Sequence, residues 1–432
     1  MLADLLLLAF FALLLALGVP VAFCIGLATL AALLISIDAW PALTTLAQRM
    51  VGGLNSFTLL AIPLYILSGV IMARSSIATR LIRFARCLIG MVPGGLAFVN
   101  VLSSALFGSI AGSAVAANTA VGSVMVPEME KSGYGREFSA AITATGSTVG
   151  LLIPPSNSLI VYAVAAGGVS ISALFVAGYL PGLLVAALLM IVCAWHARRH
   201  HLPSAGRVGL AATFTAGLAA LPGLALIAIV MGGILGGIFT ATEAGAIAVI
   251  YALALSSAIY RDIGPADLVP ILVRAVETTA IVLFLIATSV AMSWAFAFRN
   301  LPTEIAELLL GISDNPIVLL LIINLVLLVV GAFMDLTPAV LIFTPIFLPV
   351  AESLGMSPLY FGIMIVLNLS IGLCTPPVGN ILFLSCAVAN TTIAKMIRPL
   401  MPMYAAMIVA LLLVTYVPAV SEWLPRALRQ ID

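Results

Sequence analysis

The chain has 432 residues, of which 63% are hydrophobic and only 8% charged, against roughly 25% charged in a soluble domain. That balance excludes a soluble globular protein, and a net charge of +1 gives no support for nucleic-acid binding. What remains is an all-α polytopic membrane protein, whose simple crossings each need about 20 apolar residues.

The N-terminus, MLADLLLLAF, has no Lys or Arg before its apolar run and no small-residue cleavage site. It reads as a retained first helix, residues 2–17, and not as a signal peptide. Crossings follow at 18–37 and 56–73. The stretch SSIATRLIRFARCLIG then spaces Arg80, Arg83 and Arg86 near helical period, predicting an arm at 75–90 in the interface plane. Residues 93–130 are about two helix lengths, interrupted by GSIAGS at 108–113, and predict a re-entrant hairpin. Next comes the run 137–168, broken by GLLIPPSN, and a helix at 171–195. The polar segment HARRHHLPSAGR, 196–207, is the hinge to a second series. That series has crossings at 216–238, 240–259 and 275–298 and an arm at 300–313 with Glu304 and Glu307. It continues with a hairpin at 315–353 whose tip lies near 333–338, a run 359–390 broken by GLCTPPVGN, and a helix at 396–420.

The two series are one duplicated unit. A shift of 222 residues lays Pro127 on Pro349, Glu130 on Glu352, Gly133 on Gly355 and Gly150 on Gly372. It also lays Pro154 and Pro155 on Pro376 and Pro377, without a gap. The repeats are therefore 1–205 and 206–432. Each holds five crossings and one hairpin; five is odd, so the second repeat has inverted topology. With the N-terminus outside, 13 of the 17 basic residues fall on cytoplasmic segments. Only Arg49, Arg299, Arg426 and Arg429 fall outside. Trp40, Trp195, Trp294 and Trp423 fall at or near predicted helix ends, as interfacial aromatics do.

Proline lacks an N–H and clashes with the carbonyl four residues back, so each double proline breaks its helix near bilayer depth. Hydrocarbon tolerates loose backbone only where protein or a water-filled cavity satisfies it. Paired breaks in two halves are the best pointer to a transporter's binding site. The candidate residues are Ser109, Gly112, Ser113 and Asn118 at the first tip, with Thr148, Pro154, Ser156 and Asn157 at the first break. The second tip offers Asp335 and Thr337, and the second break offers Ser370, Thr375, Pro376, Gly379 and Asn380. Hydroxyls, amides and freed carbonyls are hard oxygen donors suited to a small hard cation. The placement expected is Na⁺ in two sites, one around Ser113 and Pro154–Asn157 and one around Asp335 and Thr375–Asn380. Any one Ser or Thr can equally serve close helix packing. Asp335 is either a functional intramembrane acid or a helix cap. Glu243 reads as a cap in a first turn, and His196, His200 and His201 as headgroup contacts in a basic loop. The five cysteines, set singly in apolar runs, read as small buried hydrophobes. No phosphate-binding loop or catalytic signature is present, so the chain reads as no enzyme, with no cofactor, driven by an ion gradient or another subunit.

The segments GSIAGSAVAANTAVGSVMVPEMEKSGY, GLLIPPSNSLIVYA, GIFTATEAGA, MDLTPAVLIFTPIFLP and TPPVGNILFL resemble the large membrane subunit of tripartite ATP-independent periplasmic (TRAP) transporters. The resemblance covers nearly the whole chain. It implies a sodium-driven importer of organic anions, mostly carboxylates, in the cytoplasmic membrane of a bacterium or archaeon. It implies two partners, a small four-helix membrane subunit carried on a separate chain and a soluble periplasmic binding protein. It also implies an elevator mechanism, in which hairpins and broken helices move as a block against a scaffold. Where many relatives carry an acid after the first tip, this chain has Ala117 and Asn118. A stand-alone sodium–dicarboxylate symporter of the related ion-transporter group is the alternative.

Overall fold

The computed structural model describes residues 2–202 and 209–431. The boundary expected at 205/206, and Arg207 of the basic count, lie outside those residues. Every regular element among the described residues is helical. Eight of these helices are long and apolar enough to cross a membrane. The chain is a multi-pass membrane protein.

The first half begins with α1 (Leu2–Ala16), α2 (Val21–Ser36), α3 (Ala39–Leu54), α4 (Ala61–Arg74) and α5 (Ile77–Ile89). The first hairpin is α6 (Gly95–Ala111) and α7 (Ala114–Lys131), and the broken helix is α8 (Arg136–Val149) and α9 (Asn157–Ala165). Helix α10 (Ile171–Arg199) closes the half. The second half has α11 (Leu210–Leu235), α12 (Ala241–Ala254), α13 (Pro265–Phe298) and α14 (Leu301–Leu310). Its hairpin is α15 (Pro316–Phe333) and α16 (Leu336–Ser353), and its broken helix is α17 (Pro358–Gly372) and α18 (Asn380–Val388). The chain ends with α19 (Ile393–Tyr416) and α20 (Ala419–Ala427). Adding 222 to the bounds of α7 gives the bounds of α16, and other elements correspond within a few residues.

Some elements differ from the sequence expectation. Helix α3 was not foreseen, because its apolar residues are interrupted by Thr44, Thr45, Gln48 and Arg49 and make no spanning run; only Ala42 is buried, and Trp40 is largely exposed. Its counterpart in the second half is fused into the 34-residue α13, which starts ten residues before the expected crossing at 275. Helix α11 starts at Leu210 and not 216, and the last crossing stops at Tyr416, with α20 as a separate amphipathic turn pair. His196 sits in the last turn of α10 and not in a loop; its ring lies flat on Phe138 at 3.7 Å.

Packing pairs the two halves crosswise. Helix α4 packs on α12 and α13 on α2; α7 packs on α18 and α16 on α9; α19 packs on α8 and α10 on α17. Each hairpin thus leans on the broken helix of the other half. Arm α5 buries Ile77, Ala78, Leu81, Ile82 and Ala85 along one stripe. Its start is tied to the α12–α13 connection, where Asp262 accepts from the Ser76 N–H and hydroxyl at 2.8 and 2.7 Å and Arg80 stacks over Tyr260 at 3.9 Å. Near its other end, Arg86 is ion-paired with Glu128 of the hairpin. The arm therefore links the α12–α13 connection to the first hairpin.

Polar contacts at and near the helix ends include two groups. One joins Arg74 to Asp267 at 2.8 Å and includes the Ser76, Arg80 and Arg86 contacts. The other joins Arg299 to Ser36 at 2.6 Å, Ser172 to Gln430 at 2.9 Å, Ser357 to Glu422 at 2.5 Å, and Arg49 over Trp294 at 4.7 Å. Segments expected inside meet in the first group, and segments expected outside meet in the second. If the basic end is cytoplasmic, an impermeant thiol reagent applied to intact cells will label Arg429→Cys and spare His201→Cys, in a background without native cysteines. Both positions are exposed. The reverse pattern would put the basic end outside and overturn the orientation.

Candidate functional site: two tips against two broken helices

The first tip turns on Gly112, left-handed at φ +60, followed by Ser113, whose Oγ accepts from the Ala116 N–H at 3.3 Å and caps α7. A side chain at Gly112 would be strained by that φ and would also meet Asn157 Nδ2 at 2.8 Å. Just upstream, Gly108 lies against Gly150, where α8 stops. A Cβ on Gly150 would stand 2.4 Å from the Gly108 Cα. Tip one and break one are therefore in backbone contact, which only glycine on both sides permits.

The second half repeats this arrangement. A Cβ on Gly372 would stand 2.5 Å from the Gly331 Cα. The N–H groups of Val378 and Gly379 both donate to the Ala332 carbonyl at 3.2 Å, so the unwound strand of break two is satisfied by tip two. Asp335 caps α16, accepting from the Leu336 N–H at 2.9 Å, and its carboxylate is within reach of the Asn380 side chain. By the 222 offset Asp335 falls on Ser113, the neighbour of Gly112, so Asn157 and Asn380 meet adjacent positions of the two tips, with one added residue in the second break. Both Pro–Pro bonds, Pro154–Pro155 and Pro376–Pro377, are cis.

Several candidates spend their hydroxyl protons on their own helices. Ser109 donates to the Leu106 carbonyl, Thr148 to Thr145, Ser370 to Val366 and Thr375 to Ile371, at 2.6–2.9 Å. Ser156 donates to the Leu151 carbonyl at 2.5 Å and caps α9 through the Leu159 N–H. Their oxygens remain acceptors only, as a cation requires. Thr337 lies in the first turn of α16. Asn118 is drawn elsewhere: its amide donates to Ser385 of α18 at 2.5 Å, tying hairpin one to the other half. Ser385 was missed because nothing in its apolar surroundings marks it.

Two further networks lie beside the breaks. Asn368 donates to both oxygens of Asn324, at 2.9 and 2.7 Å, and Asn324 donates to Thr415 at 3.1 Å. Asn100 donates to Thr143 at 2.8 Å in the first half. A lone amide within an apolar helix, such as Asn324 in LLLIINLVLL, was the available signal. Tyr404 donates to the Cys374 carbonyl, holding break two against α19. Buried oxygens are left over: Asn157, Asn118 and Asn368 each have an Oδ1 without a hydrogen-bond partner. An unsatisfied buried acceptor costs about 1–3 kcal/mol.

Glu243 is settled as a cap. Its carboxylate accepts from the Thr240 N–H at 2.8 Å, and the Thr240 hydroxyl accepts from the Glu243 N–H at 3.2 Å, a closed capping box.

A multi-pass helical protein with two helices unwound against two hairpin tips is built as a membrane transporter. The comparisons name the kind. Residues 8–420 match the family described as the Tripartite ATP-independent periplasmic transporter, DctM component. The chain is 52% identical over 415 residues to the uncharacterized protein YgiK of Salmonella typhimurium, covering 96% of this chain and 95% of that one. It is 38% identical over 432 residues to the C4-dicarboxylate TRAP transporter large permease protein DctM of Vibrio cholerae, covering 95% of each. The crystal structure of the Alcanivorax borkumensis YdaH transporter shares the fold, with a TM-score of 0.65, 16% identity and 88% coverage of each chain. This chain belongs to the DctM family of TRAP large permeases; it is a transport protein and not an enzyme.

Proposed function

We propose that the chain couples sodium entry to the import of a carboxylate anion across the cytoplasmic membrane of a bacterium or archaeon. The observation that carries this reading is the pair of tip–break junctions, each lined by hard oxygens and each holding an asparagine amide at the start of the second half-helix. The unpartnered Oδ1 of Asn157 beside Gly112 is an acceptor that a cation would satisfy. The starts of α9 and α18 face the same junctions with the partial positive charge of helix N-termini, which favours a carboxylate alongside the cation. The tripartite family and the C4-dicarboxylate relative support that substrate class. They also support two partners, a small membrane subunit and a periplasmic binding protein that delivers the substrate.

The crosswise packing supports an elevator with inverted repeats. Hairpins, broken helices, α10 and α19 pack on one another, and α2, α4, α12 and α13 form a second set, the scaffold; the two sets meet where α13 packs on α16 and α4 on α6 and α9, the surfaces an elevator would slide along. Arm α5, fixed to the scaffold at Ser76 and Arg80 and to the hairpin at Arg86, is placed to hinge between them.

The test is carboxylate uptake into proteoliposomes holding this chain with its small subunit, with and without the binding protein and an inward sodium gradient. Uptake is expected only with both. Ser113→Ala and Asp335→Ala are each expected to raise the sodium concentration for half-maximal uptake about ten-fold, since each leaves a desolvated ion one ligand short. Uptake without a sodium gradient would remove the coupling. Unchanged sodium dependence in both variants would move the site away from these residues. Uptake without the binding protein would favour the stand-alone symporter.

A further inference from the structure

We propose that the cavity where α8, α10 and α19 end together binds a phosphate-bearing anion, supplied as the headgroup of an anionic phospholipid. The cavity has a volume of about 470 Å³ and shares no residue with the tips and breaks. Its wall carries Lys395, Arg398, His196 and His200 against a single carboxylate, Glu137. Among the described residues, neither Lys395 nor Arg398 has an acidic partner. The two stand three residues apart on α19, so their charged heads reach a common point. His200 stands 4.3 Å from His196 across a shared ring contact, and Phe138, Leu202 and Pro399 give the cavity an apolar side.

The backbone adds to this. Helix α8 opens in the same wall at Gly135, with no side-chain cap, so its first-turn amides carry their partial positive charge toward the cavity without a built-in acceptor. The depth selects the anion. Helices α10 and α19 are both long and apolar enough to span, and the cavity takes the last turn of one and the first turn of the other. That is the level of the lipid phosphates, where a basic pocket between spanning helices captures an acidic headgroup. A guanidinium beside an ammonium suits a phosphate with several oxygens, and the apolar side suits a glycerol backbone.

The experiment is thermal unfolding of the purified full-length chain in neutral detergent, at constant ionic strength. It is titrated with short-chain phosphatidylglycerol, short-chain phosphatidylcholine or inorganic phosphate. Phosphatidylglycerol is expected to raise the midpoint saturably, and phosphatidylcholine is not. Lys395→Gln combined with Arg398→Gln is expected to raise the half-saturating concentration at least about ten-fold. Glu137→Gln is expected to lower it, a change opposite in sign to any folding defect. If inorganic phosphate alone reproduces the saturable rise, the phosphate site stands and its occupant is the free anion. No rise in the wild type, or equal half-saturation in the wild type and the double variant, overturns the proposal.

Discussion

Gly372→Val is expected to cut substrate uptake at least about ten-fold, and Gly150→Val to do the same, with an overpacking cost of about 1–3 kcal/mol in each case. The new Cβ at 372 would stand 2.5 Å from both the Cα and the carbonyl carbon of Gly331. At 150 it would stand 2.4 Å from the Gly108 Cα and 2.9 Å from the Ser109 nitrogen. Every one of these atoms is backbone, so no rotamer change relieves the contact; the tip itself must retreat. Retreat pulls Ala332 from the two amides it serves and parts Asp335 from Asn380, so the junction fails even if the helices hold. Gly232→Val is the control, because nothing lies within 4 Å of the Cβ it adds. Uptake per unit of membrane-inserted protein, with a melting curve for each variant, decides the matter. Wild-type uptake by Gly372→Val would mean that tip and break are not held together in the working protein.

Much of this junction was legible in the sequence because proline and glycine act locally. The double prolines have no N–H to continue a helix, so the breaks at 150–156 and 373–379 follow from composition alone. The hairpins were legible from length, since the largely apolar segments 93–130 and 315–353 are too long for one crossing and just long enough for two short arms. The turns themselves fell one or two residues from the centre of GSIAGS, because Gly112 and Ser113, and not the earlier Gly108, supply the left-handed residue and the cap.

What stayed hidden depends on three-dimensional neighbours. Asn118 looked like part of tip one, but its partner Ser385 comes from 267 residues away. No local pattern encodes that pairing. Gly108 and Gly331 sit one position apart in the repeat register, so alignment of the halves does not mark them as counterparts; only their shared contact with Gly150 and Gly372 does. Helix α3 was invisible because its 16 residues, broken by Thr44, Thr45, Gln48 and Arg49, are too short and too polar for a simple crossing. Asp335 was legible as a choice between ligand and cap, and the geometry gives it the cap without removing its second oxygen from the junction.

In the elevator proposed above, the tips and broken helices travel together against the scaffold. A cavity of about 700 Å³ lies between the α3–α4 and α11–α12 connections on one side and the α9–α10 connection on the other, and Ser56 and Val169 both line it. The direct measurement bridges this gap. Ser56→Cys is combined with Val169→Cys in a background without native cysteines, reconstituted with its partners, and joined by a short, reducible bismaleimide. Complete crosslinking is expected to stop net uptake while sodium or substrate still binds from one side, and reduction is expected to restore turnover. Uptake at the uncrosslinked rate by fully crosslinked protein would contradict the elevator, because the hairpins would then gate locally while the rest of the unit stayed in place.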